Sequence, residues 1–81
     1  MHLDTGLIRK MLELVEGGDA TGNGFVFSEA EARNLGRSLD IIRYNLRHAR
    51  ERGLIKARSR PLEHEPTVHL TPKGLAFLQG G

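Results

Sequence analysis

The sequence contains no cysteine and no tryptophan, and aromatic residues make up only 5% of its 81 residues. Without cysteine, the chain forms no disulfide, no thiolate zinc site and no thiol redox centre. It has no apolar run of roughly 18 residues, and no basic stretch leads into an apolar one at the N-terminus. We therefore expect a cytoplasmic protein with no membrane partner. With 38% hydrophobic and 27% charged residues, it has the composition of a single globular domain over 1–81.

The net charge is +2, but the charge is unevenly distributed along the chain. Residues 33–60 carry nine basic and two acidic side chains, a net charge of +7, whereas the remaining residues have a net charge of −5. Such a basic segment is typical of proteins that bind a polyanion and turn their acidic side away from it. The alternative is a solvated surface whose charges serve only solubility.

The spacing of apolar residues predicts three helices in the first two thirds of the chain. The first runs from Asp4 or Thr5 to Glu16, with apolar residues three and four positions apart, and is expected to end at Gly17-Gly18. The second and third cover 28–35 and 38–52. Each begins with a serine suited to cap a helix, and they are expected to stop at Gly36 and Gly53. Because so few residues separate these two helices, they must turn sharply against each other. This is helix-turn-helix geometry.

Short strands are predicted on both sides of the helix-turn-helix. Residues 25–27 (FVF) predict one small strand before it. After it, apolar and basic residues alternate over 54–60, which predicts a strand with one basic face. Two prolines bracket an exposed hairpin tip at 61–66, and 67–70 forms the return strand. A last helix then begins with a threonine cap followed by proline.

Two stretches match the pattern of a known family. Residues 38–55 (SLDIIRYNLRHARERGLI) place apolar residues at Ile42, Leu46 and Ala49 after a polar cap, and a charged pair precedes Gly-Leu-Ile. Residues 70–74 read LTPKG. Both resemble the winged helix-turn-helix domains of MarR-, PadR- and ArsR-type bacterial regulators. Residues 38–55 resemble the recognition helix of these domains, and 70–74 resemble the end of their wing. The stretches cover about a third of the chain, and the order of elements extends the likeness over nearly all of it.

The resemblance implies an α+β, mainly α fold, a winged helix-turn-helix with a three-helix core. The helix-turn-helix would cover about 28–52, a two-stranded wing about 54–71 and a C-terminal helix about 72–79. In function, the resemblance implies a prokaryotic or phage transcriptional regulator that binds double-stranded DNA, associated with the nucleoid when bound. It also implies a homodimer that uses the first and last helices as its contact surfaces.

The sequence departs from the family pattern at two places. Glu31 stands where the family usually buries a leucine, which predicts a shifted or weakly packed second helix. Leu39, Asp40 and Ile41 stand where regulators commonly carry small polar residues that touch DNA. Asp40 would repel phosphate unless it accepts a hydrogen bond from a cytosine amino group or caps the helix.

The residues expected to contact DNA lie mainly on the third helix, opposite its buried stripe. Arg43 and Arg47 can pair with guanine or phosphate, Tyr44 can donate to phosphate, and Ile41 can meet a thymine methyl. Alternatively, Ile41 and Tyr44 pack against a neighbouring chain. The full set of candidate DNA-binding residues is Arg37, Ser38, Asp40, Ile41, Arg43, Tyr44, Arg47, Lys56, Arg58 and Arg60.

The last three of these, Lys56, Arg58 and Arg60, share one face of the predicted strand. In the family, the wing follows the DNA backbone or enters the minor groove, where arginine is favoured. The alternative is a charged strand edge that discourages aggregation.

Metal and catalytic sites are not expected. His64 and His69, with Glu63 and Glu65, could be imagined as metal ligands, but a hairpin tip between prolines supplies no fixed geometry. The sequence has no Ser-His-Asp arrangement, phosphate-cradling glycine loop or HExxH motif. We expect neither an enzyme nor a cofactor.

Two functions of different class remain open. The first is a DNA-binding transcriptional regulator. The second is a winged helix that binds protein, as an adaptor, an anti-repressor or a phage-type inhibitor. Asp40, Ile41 and Tyr44 on the recognition face favour the second function, whereas the basic segment favours the first.

Overall fold

The computed structural model describes residues 4–18, 24–57 and 67–80. These ranges form helices and strands in the order α1 (Thr5–Gly18), β1 (Phe25–Val26), α2 (Glu29–Asn34), α3 (Leu39–Glu51), β2 (Ile55–Ala57), β3 (Thr67–Leu70) and α4 (Pro72–Gly80). The predicted order of elements is confirmed, and so is the mainly helical α+β class. None of the helices in the described ranges combines the length and the apolar character that crossing a bilayer requires.

The described strands form one antiparallel sheet in the order β1-β3-β2. In β2, Ile55 pairs with Leu70 and Ala57 with Val68, while Phe25 of β1 pairs with Val68 from the other side. The two strands predicted for 54–71 thus pair with each other, and β1 adds a third strand that the sequence did not predict to join them. The physical reason is that β3 has two edges of backbone hydrogen-bonding groups, and a two-residue strand finds its partners on the edge that β2 leaves open.

The end of α1 also differs from the prediction. The helix continues through Gly17 and Gly18, and neither glycine has the positive φ that would close it. A Cβ at Gly18 would overlap the Phe25 ring, coming within 2.8 Å of its Cε1 atom. Gly18 thus serves close packing between α1 and β1 rather than helix termination. The predicted stops after α2 and α3 are correct, because Gly36 and Gly53 have φ of 70° and 78°.

Both predicted serine caps are confirmed. The Ser28 hydroxyl accepts a hydrogen bond from the Glu31 N–H at 3.3 Å, and the Ser38 hydroxyl accepts one from the Ile41 N–H at 3.4 Å. Ser38 therefore occupies the N-cap of α3, and Asp40 lies in the first turn instead. Asp40 therefore does not cap α3, and its other expected role, accepting a hydrogen bond from a cytosine amino group, stays a prediction.

The core lies between α1, α3 and the sheet. The predicted apolar stripes of α1 and α3 are buried, whereas α2 buries Ala32 alone and leaves Glu31 half-exposed. α2 is thus weakly packed, as the glutamate predicts. The buried apolar residues are Leu7, Ile8, Met11, Leu12, Val15, Phe27, Ala32, Leu39, Ile42, Leu46, Ala49, Leu54, Ile55 and Val68.

Contacts at both ends hold α4 against the rest of the fold. At its start, the Thr71 hydroxyl donates to the Gly53 carbonyl at 2.6 Å and accepts from the Gly74 N–H at 3.0 Å. At its end, the Arg9 guanidinium of α1 donates to the Leu78 carbonyl at 2.7 Å, which satisfies a carbonyl left free by the helix. The first contact joins 38–55 to 70–74, since the first range contains Gly53 and the second contains Thr71.

Candidate nucleic-acid interface

The face of α3 directed away from the core is basic and polar. Arg47 and Arg50 are exposed, and Arg43 is half-exposed beside them. In an α-helix, residues three and four positions apart share a face, so these three arginines form one row. We call Arg43, Arg47 and Arg50 the arginine row. No ion pair to Arg47 or Arg50 is found among the described residues.

Asp40 and Arg43 lie close together at the start of this face. The Arg43 Nη1 atom is 4.0 Å from the Asp40 Oδ1 atom, which is too long for a hydrogen bond. The Asp40 side chain keeps 76% of its surface exposed. Its carboxylate therefore weakens the positive potential near Arg43 while its oxygens stay open to other donors.

The aromatic part of this face is a pair of rings. The Tyr44 and His48 rings meet edge to face, with their centroids 4.7 Å apart, and both side chains are half-buried. Ile41 is half-buried too, and it packs against the core. Part of the Ile41 side chain is therefore taken up by the core and is not open to a ligand. His48 belongs to this face by its spacing from Tyr44.

Arg37 lies in the turn before α3 and contacts Asp4. Its Nη2 atom donates to the Asp4 Oδ2 atom at 3.4 Å, and its Nη1 atom donates to the Gly36 carbonyl at 3.3 Å. The other Asp4 oxygen accepts from the Leu7 N–H at 3.0 Å and so caps α1. The Leu7 hydrogen bond, more than the neighbouring Arg37, holds the pKa of the Asp4 carboxyl below its ordinary value.

Asn45 is the residue of this region that the sequence prediction missed. It is fully buried within the apolar stripe of α3. Its Oδ1 atom accepts from the Asp4 N–H at 2.9 Å, and its Nδ2 atom donates to the Ile41 carbonyl at 3.0 Å. A buried side-chain amide needs such partners, so Asn45 fixes the start of α1 against α3. The sequence gives one sign of this role, because Asn45 stands at a position of α3 where the spacing predicts a buried apolar residue.

The basic strand is only partly placed. Lys56 is exposed on β2 and lies opposite His69 in register. Arg58 and Arg60 lie outside the described residues. So do the predicted hairpin tip 61–66 and, within it, His64, which is not expected to bind a metal. Across 4–18, 24–57 and 67–80, no group of three or more histidine, aspartate or glutamate side chains is arranged to hold a metal ion.

The chain matches no protein-family model, no curated protein and no solved structure. Its charge distribution and the geometry of α3 are therefore the features from which its function is inferred.

Proposed function

We propose that this chain is a winged helix-turn-helix protein that binds double-stranded DNA and regulates transcription in the cytoplasm. The observation that carries the proposal is the arginine row on the exposed face of α3. Arginine pairs bidentately with guanine and with phosphate, so a row of three offers both base and backbone contacts. The 13 residues of α3 span about 20 Å, and a major groove about 12 Å wide admits such a helix.

The arrangement of the other elements supports the same proposal. α2 and α3 are joined by a short turn through Gly36, which leaves α2 free to lie across the DNA backbone while α3 enters the groove. β2 and β3 pair directly after α3, and the exposed Lys56 of β2 lies in the basic segment. In this proposal, that pair is the base of the wing. Because each contact with a phosphate releases counterions from the DNA, affinity is expected to fall as the salt concentration rises.

Arg47→Ala is expected to weaken binding to duplex DNA by about 1–3 kcal/mol, because a charge-assisted contact in the groove is lost. The fold is expected to survive, since Arg47 is exposed. Affinity is measured by mobility shift across a salt series, both on random duplex and on several duplexes of defined sequence. If Arg47 contacts phosphate, the slope of log affinity against log salt falls by about 0.9, and if it contacts a base, sequence preference is lost instead.

Lys10→Ala is the matched control, because it removes one positive charge from an exposed position on α1. It is expected to weaken binding less than Arg47→Ala does, because Lys10 lies outside α3. If Arg47→Ala and Arg43→Ala both stay folded and bind duplex as well as Lys10→Ala does, α3 is not the recognition helix.

In this proposal, the DNA-bound state is a two-fold homodimer. One domain neutralises few phosphates. A dimer contacts the DNA with two domains at once, which raises affinity although each domain makes the same contacts as a monomer would. α1 and α4 are the expected contact surfaces, and the half-buried Phe77 and Leu78 of α4 provide apolar area there. Sedimentation equilibrium of the chain over a range of concentrations is expected to show dimers in equilibrium with monomers. The mass of a single chain at every concentration would reject the dimer.

Two contacts on α3 favour a second function, the binding of a protein partner. The Tyr44–His48 ring pair and the Asp40–Arg43 pair give the start of α3 a mixed surface, and tyrosine and arginine are enriched in protein interfaces. In this case, Tyr44→Ala abolishes partner binding, and the wild-type chain fails to shift duplex DNA even at low salt. The mobility shift described above separates the two functions.

A further inference from the structure

Asp4 is held in place by contacts that do not depend on Arg37. Its backbone N–H donates to the buried Asn45 at 2.9 Å, and its Oδ1 atom accepts from the Leu7 N–H at 3.0 Å. The second carboxylate oxygen, Oδ2, is left to face Arg37. A fixed carboxylate oxygen therefore lies beside the turn that leads into α3.

Arg37 is held much less firmly. Its contact with Asp4 is 3.4 Å long, and the two side chains keep 43% and 40% of their surface exposed. Ion pairs this exposed contribute little free energy and are readily exchanged for another partner. Arg37 directly precedes the Ser38 cap of α3, the helix that is proposed to enter the groove, and its guanidinium contacts the Gly36 carbonyl in the turn before that helix.

Carboxylate and phosphodiester oxygens are alternative ligands for the same guanidinium, because both accept its N–H donors in similar geometry. On the basis of the proposed DNA binding, we propose that Arg37 is a phosphate-binding residue whose site is occupied by the Asp4 carboxylate in the free protein. DNA binding then exchanges one oxyanion for the other. Asp4 thereby lowers the affinity for DNA, since part of the binding free energy goes into breaking its contact with Arg37.

The test is a double-mutant cycle between Asp4→Asn and Arg37→Gln, with affinity for random duplex measured at low salt. Asparagine caps a helix as well as aspartate does, so Asp4→Asn retains the acceptor for Leu7 and removes only the charge beside Arg37. We expect Asp4→Asn to tighten binding about two- to fivefold when Arg37 is present. In the Arg37→Gln background, we expect the same change to have no effect beyond that of a control variant.

The control is Glu13→Gln, which removes one negative charge from an exposed position on α1, the helix that Asp4 caps, without a contact to Arg37. It is expected to change affinity less than Asp4→Asn and equally in both backgrounds. Thermal unfolding of each variant verifies the fold, and Asp4→Ser, which also caps, replaces Asp4→Asn if that variant does not fold.

Three results overturn the inference. The first is that Asp4→Asn binds no more tightly than Glu13→Gln. The second is that it tightens binding by the same factor in both backgrounds, which would be an effect of net charge alone. The third is that the wild-type chain does not bind duplex at all, which overturns the proposed function as well, whereas the first two leave that function intact.

Discussion

Phe27→Ala is expected to lower the free energy of unfolding by about 3–5 kcal/mol, because truncating a buried phenylalanine leaves a cavity that the surroundings fill only in part. Phe27 is the largest of the fully buried side chains in the described ranges, and its ring meets that of Phe25 edge to face at 4.9 Å. Small domains are stable by about 5–15 kcal/mol, so this one change removes a large share of the total. Urea unfolding followed by circular dichroism gives the difference.

Val26→Ala is the control for Phe27→Ala. Val26 is the neighbouring residue in the chain, but 47% of it is exposed, so its truncation is expected to change stability by about 0.5 kcal/mol or less. Equal unfolding midpoints for the two variants would place Phe27 outside the core.

Gly74→Ala is expected to destabilise the fold by about 3 kcal/mol, at the upper end of what overpacking costs. A Cβ at this buried position would overlap the Leu54 carbonyl and lie 2.8 Å from the Leu70 Cδ1 atom. The carbonyl belongs to the backbone and cannot swing aside as a side chain can. Relief therefore requires α4 to move away from the turn after α3, which lengthens the hydrogen bonds of Thr71 as well.

A second glycine provides the comparison for Gly74→Ala. Gly17 lies in α1, and a Cβ there would have open space around it. Gly17→Ala is expected to stabilise the protein by about 0.5 kcal/mol, since alanine restricts the unfolded chain and favours the helix. Replacing glycine with alanine is therefore expected to lower the free energy of unfolding at position 74 and to raise it at position 17. If thermal melts show both variants equal to the wild type, α4 does not pack on the turn.

The helical half of the fold could be predicted because its signals are local. Ser28 and Ser38 each cap a helix by accepting a hydrogen bond from the N–H three residues later. Gly36 has a positive φ between α2 and α3, and glycine is the residue that adopts this conformation most readily, so its presence predicts the turn. Periodicity likewise identified the buried stripe of α3, since that depends on spacing alone.

The features that could not be predicted connect residues far apart in the chain. Asp4 and Asn45 are separated by 41 positions, and no local pattern indicates that an asparagine will find a backbone N–H there. Similarly, Gly18 looks like a helix terminator by its residue type, whereas its actual role depends on where the Phe25 ring packs. Arg37 is of the residue type expected to contact DNA. The carboxylate beside it belongs to Asp4, which lies 33 positions earlier in the chain.

The Thr71–Gly53 hydrogen bond fixes where α4 begins relative to where α3 ends. It joins two residues that are 18 positions apart, and the β2–β3 pairing holds the same part of the chain together through backbone hydrogen bonds. The free energy of bringing two points of a chain together rises by only about 0.6 kcal/mol for each doubling of the number of residues between them. Residues added between Ala57 and Thr67 would therefore cost little closure free energy, while the contacts of Thr71 keep α4 beside the end of α3.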